Sequence, residues 1–311
     1  MKLEQLEQEA WTIKKKYYTI IEPYRSDLWR YCKFLTGSSW DAEDLVQETL
    51  LRSFAMLAQV WQPLNPKSYL FKIATNTWIN QNRKKLDNQE IHEDSIAMEN
   101  EKSYLAIEAI EHLVHYLPPR QVVAILLIDV FQFTALETAS LINTTEGAVK
   151  AILNRGRVKL RTISKQKEMN LKPNTTEKFN RSIMNAFLEA FNNRDPEAIA
   201  SLLNENAVAD IVHVAREYGK ETISKHSLMD LYKDPTINNQ RAIITELWDR
   251  PVIAICHNSN GVFELNDIYS FKVEENKIVE WRSYYFCKDL LSQAALELKI
   301  SVHEKTYMME V

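Results

Sequence analysis

The sequence predicts a multidomain chain, with two all-α domains followed by an α+β domain. Residues 1–85 carry apolar residues at helical spacing with almost no β-branched alternation, and residues 104–165 return to helices. Beyond residue 240 the period becomes two: RAIITELWD, RPVIAICHN, VFELNDIYSFKVEEN and KIVEWRSYYF alternate as antiparallel strands do. Polar, aperiodic stretches at 87–103 and 166–176 interrupt the pattern and read as linkers. With 311 residues and a 45% apolar share the chain can fill two or three cores, and only 5 Gly and 9 Pro exclude a low-complexity or fibrous protein.

The expected order is a helical bundle at 1–86, an acidic linker at 87–103, a second helical domain at 104–165, a linker at 166–176, an α+β domain at 177–300 and a tail at 301–311. In the bundle, Thr36-Gly37-Ser38-Ser39 breaks one helix, and Ser39 or Asp41 can cap the next. Pro63 and Pro66 punctuate a loop before the helix that contains Tyr69 to Arg83.

FTALETASLINTTEGAVKAILNRGRVKLR, 133–161, reads as a helix-turn-helix. Ala139 is small where two helices must touch, and Asn143 stands where the turn needs left-handed backbone angles. Val149 and Ile152 share the inner face of the second helix. Thr145, Glu146, Lys150, Ala151 and Asn154 are left outside, while Arg155, Arg157, Lys159 and Arg161 crowd its C-terminal end. Lys150 and Asn154 are suited to base edges, Arg155 and Arg157 to phosphates. Glu146 can accept from a cytosine amino group or cap the helix.

In the third domain a helix over Glu177–Asn192 puts Phe179, Ile183, Ala186, Phe187 and Ala190 on one face. Asp195-Pro196 starts a short helix through Leu203. Asn258-Ser259-Asn260-Gly261 and Glu275-Asn276 are the expected turns of the meander.

The net charge of −4 hides a segregation. Asn143 to Lys167 holds seven basic residues against one acidic, and Asp87 to Ser103 holds six acidic against one basic. A local basic patch suits a subunit delivered to DNA by a larger partner better than a free DNA binder. Cys32, Cys256 and Cys287 form no CxxC pair, so neither a disulfide framework nor a zinc site is implied, and no metal or other cofactor is expected. MKLEQLEQEAW lacks a signal-peptide core, and the longest apolar run, 122–131, is half of what a spanning helix needs, so a cytoplasmic protein without membrane insertion is expected.

Asp41, Asp44, Leu45 and Glu48 fall on one helical face, an acidic strip with an apolar residue in it. The 68–85 helix mixes Tyr69 and Trp78 with Asn76, Asn80, Arg83 and Lys84: aromatic platforms, edge donors and cations that single-stranded bases can use. For Trp78, core packing is an equal alternative.

DAEDLVQET at 41–49, SYLFKIATNTWINQNRKK at 68–85, LPPRQ at 117–121 and the helix-turn-helix occur in an order that resembles bacterial extracytoplasmic-function sigma factors, over roughly residues 15–165. The resemblance implies that Asp41, Asp44, Leu45, Gln47 and Glu48 face the clamp of core RNA polymerase, with Leu45 as apolar anchor. It implies −10 promoter contacts from Tyr69, Asn76, Trp78, Asn80, Arg83 and Lys84, and −35 contacts from Thr145, Glu146, Lys150, Asn154, Arg155 and Arg157. Tyr69 and Asn80 depart from the family's usual Trp and Asp. FLEAFNNRDPEAIASLL and YSFKVEENKIVEWRSYYF resemble the SnoaL-like cone fold, which implies a fused regulatory domain. Asp210, His213, Asp267, Tyr269, Trp281 and Tyr284 are its pocket candidates, for a ligand the sequence does not name. FCKDLL at 286–291 stands where such family members often carry a short charged signature. The expected function is promoter-specific initiation with core polymerase and promoter DNA as partners, without covalent chemistry. A helix-turn-helix regulator with a ligand-sensing domain, or a SnoaL-like enzyme with a DNA-binding leader, are the alternatives.

Overall fold

The computed structural model describes residues 3–57, 65–86, 117–164, 181–259 and 261–304. It divides into two compact units, Met1–Asn170 and Leu171–Val311. Both expected linkers, Pro63, residues 177–180 and the last seven residues lie outside the described part, as do the side chains of Arg83, Lys84 and Arg161.

In the first unit α1 spans Leu3–Thr36, α2 Ser39–Leu57 and α3 Pro66–Leu86. Gly37, at φ 73°, makes the break between α1 and α2. The cap of α2 is Ser38 rather than Ser39 or Asp41, its hydroxyl accepting from Asp41 N at 3.3 Å. Asn65 caps α3 by accepting from Ser68 N at 3.1 Å, with Pro66 in the first turn. Leu28, Tyr31, Cys32, Leu35, Val46, Leu50, Leu70 and Phe71 form the bundle core. Two buried polar links cross it: Tyr31 Oη to Thr75 Oγ1 at 2.7 Å, and Trp29 Nε1 donating to Glu43 at 2.8 Å.

The second helical block starts with α4, Pro119–Ile125, which widens into a π turn over Leu126–Val130. α5, Ala135–Leu141, opens with a reciprocal capping box between Thr134 and Glu137. α6 spans Glu146–Ser164. Asn143 takes φ 51°, the left-handed angle the turn requires, and Ala139, Val149 and Ile152 are buried as the helix-turn-helix pattern predicts. Gly156 lets α6 approach α4: a Cβ there would meet Ile125 Cδ1 at 2.8 Å and Gln121 Cβ at 3.3 Å. The two helical blocks meet through rings. Phe131 lies 5.4 Å from Tyr31, 5.2 Å from Phe71 and 6.2 Å from Phe34, while Phe133 lies 5.2 Å from Phe71.

The second unit is α+β. α7, Arg181–Asn192, and α8, Pro196–Leu202, precede a seven-stranded sheet of order β2-β1-β6-β5-β4-β3 with β7 beside β5. The strands are β1 Leu203–Ile211, β2 Ala215–Tyr218, β3 Gln240–Leu247, β4 Arg250–Ser259, β5 Val262–Glu274, β6 Lys277–Ser283 and β7 Ser301–Val302. The four strands expected beyond residue 240 are present as the antiparallel run β3 to β6. β1 and β2 have no counterpart in the sequence reading. β1 pairs with β6 in parallel, so a strand far back in the chain completes the meander. Glu275 and Asn276, at φ 49° and 57°, form the hairpin turn expected there. α9, Lys288–Leu298, returns the chain to β7, whose pairing to β5 brings Ser301–Val302 into the sheet; the domain therefore runs past the expected end at residue 300. Phe187, Phe191, Ile199, Ile223, Leu228 and Ile237 pack against Ile253, Ile255, Tyr269 and Trp281, placing the core between the helices and one sheet face.

Candidate functional site

On α2 the side chains sort by helical phase. Ala42, Glu43, Leu45, Val46, Thr49, Leu50 and Ser53 are buried, Asp41 and Asp44 are exposed, and Gln47 and Glu48 are half-buried. The acidic strip is therefore real as a surface, and Glu48 is paired to Arg52 one turn on. Leu45 is not part of it. It lies one position past Asp44, about 100° round the helix, and at 2% exposure it supports α2 from beneath. The expectation of an exposed apolar anchor is corrected for that reason.

On α3 Trp78 is buried, which decides its two readings in favour of core packing. Tyr69 is half-buried and donates its hydroxyl to Ser53 O at 2.9 Å, tying α3 to α2. Burial raises its phenol pKa. Asn76 is half-buried and Asn80 exposed, the two amides of this helix best able to meet a ligand.

α6 presents the pattern its sequence predicts. Thr145, Glu146, Lys150, Ala151, Arg155, Arg157 and Lys159 are exposed, Asn154 is half-buried, and Val149, Ile152, Leu153 and Leu160 face inward. Thr145 is the cap, accepting from Ala148 N at 3.2 Å. Glu146 is bonded to Lys150 at 2.6 Å, an exposed pair on the outer face. Arg157 is more than a surface cation. It grips Asp129 of the π turn with two donors, its Nε lying 3.1 Å from Oδ2, and the carboxylate raises its pKa. Sequence reasoning missed Asp129, which looked like a lone acid in an apolar run. It also missed the capping box, although Thr134-Ala135-Leu136-Glu137 carries the required spacing.

The pocket candidates of the second unit divide between the two faces of the sheet. Ala209 and Trp281 are partners across β1 and β6 and both lie in the core, so Asp210 and Arg282, the next pair, face the opposite side of the sheet. Asp210 is buried and held by Arg216 at 3.2 Å and Arg282 at 3.4 Å. Tyr269 and Trp281, ring centroids 5.1 Å apart, pack on Phe187 as core residues, and burial raises the Tyr269 phenol well above its ordinary range. Tyr284 is buried with its hydroxyl 3.4 Å from Ser270 Oγ, and Asp267 accepts from Ser283 Oγ at 2.7 Å. His213 is buried at φ 72° in the turn after β1. The core cluster and the buried ion pair are thus separate features on two faces of the sheet.

Among the described residues no helix is long and apolar enough to cross a membrane. Residues 20–86 match Sigma-70 region 2, and residues 107–160 match Sigma-70, region 4. The chain is 28% identical over 223 residues to the ECF RNA polymerase sigma factor SigG of Mycobacterium tuberculosis, covering 60% of this chain and 59% of that protein. It thus spans about three fifths of that relative's length. To the ECF RNA polymerase sigma factor EcfG of Rhodopseudomonas palustris it is 30% identical over 131 residues, covering 40% of this chain and 72% of that protein. Among solved structures, an NTF-2 like protein of unknown function from Burkholderia xenovorans is 14% identical at a TM-score of 0.28, covering 40% of this chain and 85% of that one.

Proposed function

The chain belongs to the ECF RNA polymerase sigma factors, and from that membership we propose that it binds core RNA polymerase and directs promoter-specific transcription initiation. The observation that carries this reading is the pairing, in one chain, of an outward acidic strip on α2 with an outward, cation-rich face on α6. Asp41, Asp44, Gln47 and Glu48 meet the polymerase clamp by charge complementarity, which sets encounter and register. Tyr69, Asn76 and Asn80, followed by Arg83 and Lys84, lie along the −10 DNA, with Trp78 fixing the helix from inside. Thr145, Glu146, Lys150, Asn154 and Arg155 face the −35 element, where Lys150 and Asn154 read base edges and the arginines neutralise phosphate.

The α+β unit is a fused regulator of these contacts rather than a catalytic domain. This assignment is supported by the commitment of Asp210 to two arginines and of Tyr269 and Trp281 to the core. The protein acts in the cytoplasm, where core polymerase is.

The test is transcription from a matched promoter by purified core polymerase, with the full chain and with the chain lacking residues 177–311. Full-length protein is expected to give promoter-specific transcripts, and the truncation to change their yield several-fold. No transcript with either protein overturns the sigma reading. Equal core affinity, promoter opening and yield overturn the regulatory one.

A further inference from the structure

Three residues that no part of the sigma reading uses come together at one edge of the second unit. His257 of β4 and Glu264 of β5 are direct partners across the hairpin. Glu264 is in turn the parallel partner of Ser301 in β7, and two residues on, His303 donates its backbone N–H to Leu265 O at 2.9 Å. That bond continues the extended path one residue past β7 and returns residue 303 to the face of residue 301, so β4, β5 and the residue after β7 each bring one side chain to the same spot. The His257 and His303 rings stack with centroids 4.0 Å apart, and His303 Nδ1 lies 2.8 Å from a Glu264 carboxylate oxygen. One ligand atom from each of the three lies within 4.8 Å of the others, and all three side chains are half-buried, reachable from solvent yet held.

We propose that His257, Glu264 and His303 form a binding site for a divalent transition-metal ion, with Zn(II) the best fit. Two imidazoles and one carboxylate are a recurrent three-ligand set for zinc, leaving a fourth position for water or another donor. Ligand atoms about 2.1 Å from a tetrahedral ion stand about 3.4 Å apart, so the three need to close by little more than an ångström. Rotation of the imidazoles provides that movement without a change in strand register. Zinc bonds only neutral imidazole. The ion would fasten β7, only two residues long, and the chain after α9 to the hairpin of β4 and β5. Bound there, the ion would act as a clip on the C-terminal segment.

The experiment is titration of the full chain, stripped with chelator, with Zn(II) by calorimetry and with Co(II) by visible absorption. One equivalent of each ion is expected, the cobalt spectrum showing the intensity of low-coordinate N/O ligation. His257→Ala and His303→Ala should each weaken binding at least tenfold, and Zn(II) should raise the melting temperature of the wild-type chain but not of the double variant. Glu264→Gln, which keeps shape and hydrogen bonding, is the control for folding and should also weaken binding at least tenfold. Stoichiometric binding that survives in His257→Ala/His303→Ala would place the ion elsewhere and overturn the proposal. Absence of binding to the wild-type chain at micromolar zinc would overturn it as well.

Discussion

Lys150 and Arg157 stand two turns apart on the same helix and are both exposed cations, yet their surroundings assign them different work. Lys150 is bonded to Glu146 on the outer face, a solvent-exposed pair that DNA can displace at little cost. Lys150→Ala should lower discrimination between cognate and mutated −35 elements by roughly 1–3 kcal/mol, as read by competition binding. Arg157→Ala should weaken binding evenly across sequences and flatten its salt dependence. It should also lower stability by about 1 kcal/mol through loss of the Asp129 contact, a value kept small by the partial exposure of both groups. Equal losses on every sequence for both variants would show reader and positioner to be interchanged. Gly156 is the third decisive residue of this helix. Gly156→Leu should destabilise the helix-turn-helix by about 2 kcal/mol in urea denaturation, since the new side chain must enter the α4–α6 contact where Ile125 and Gln121 already stand. An unchanged denaturation midpoint would mean that α4 yields freely.

At the scale of elements, α2 separates what holds the bundle from what faces outward. Its buried residues recur at helical spacing, leaving Asp41, Asp44 and Glu48 on the other side, so charge can be reversed there without entering the core. Asp44→Arg combined with Glu48→Arg should abolish co-purification with core polymerase while leaving the helical circular dichroism unchanged, because like charges across an interface cost several kcal/mol. Co-purification at the wild-type level would remove the acidic strip from the polymerase contact. The helix-turn-helix is built with similar economy. Its first helix has only seven residues, too short to persist alone, and relies on the Thr134–Glu137 box and on packing against α6.

Across the first unit as a whole, the two helical blocks are joined by the rings around Phe131. Under the proposed function the two helical blocks meet two separate promoter elements, and packing that holds them together competes with that use. Phe131→Ala removes the ring shared by Tyr31, Phe34 and Phe71, a change worth about 3–5 kcal/mol in a packed core. It should raise amide hydrogen exchange in α1 and α4 and increase affinity for core polymerase. Faster exchange with unchanged core affinity would separate the ring cluster from the regulation of binding. Deletion of the α+β unit tests the second, proposed influence on that equilibrium, so the two changes should be measured singly and together.

The sequence by itself determined the fold class, the four antiparallel strands, the helix-turn-helix and the outward face of α6, because each is written in local periodicity or in a single turn residue such as Asn143. It also determined the acidic strip of α2, apart from the phase of Leu45, where a difference of one position on a helix turns a side chain from solvent into the core. Tertiary structure alone decided what depends on distant partners. Trp78 became a core residue, Arg157 found Asp129, and β1 joined β6 in parallel with about seventy residues between them. His257, Glu264 and His303 have no spacing that marks them as a set, and only the pairing of three strands brings their side chains to one place. Local pattern records which face a residue takes on its own element; which residue it meets there is fixed by how the elements pack.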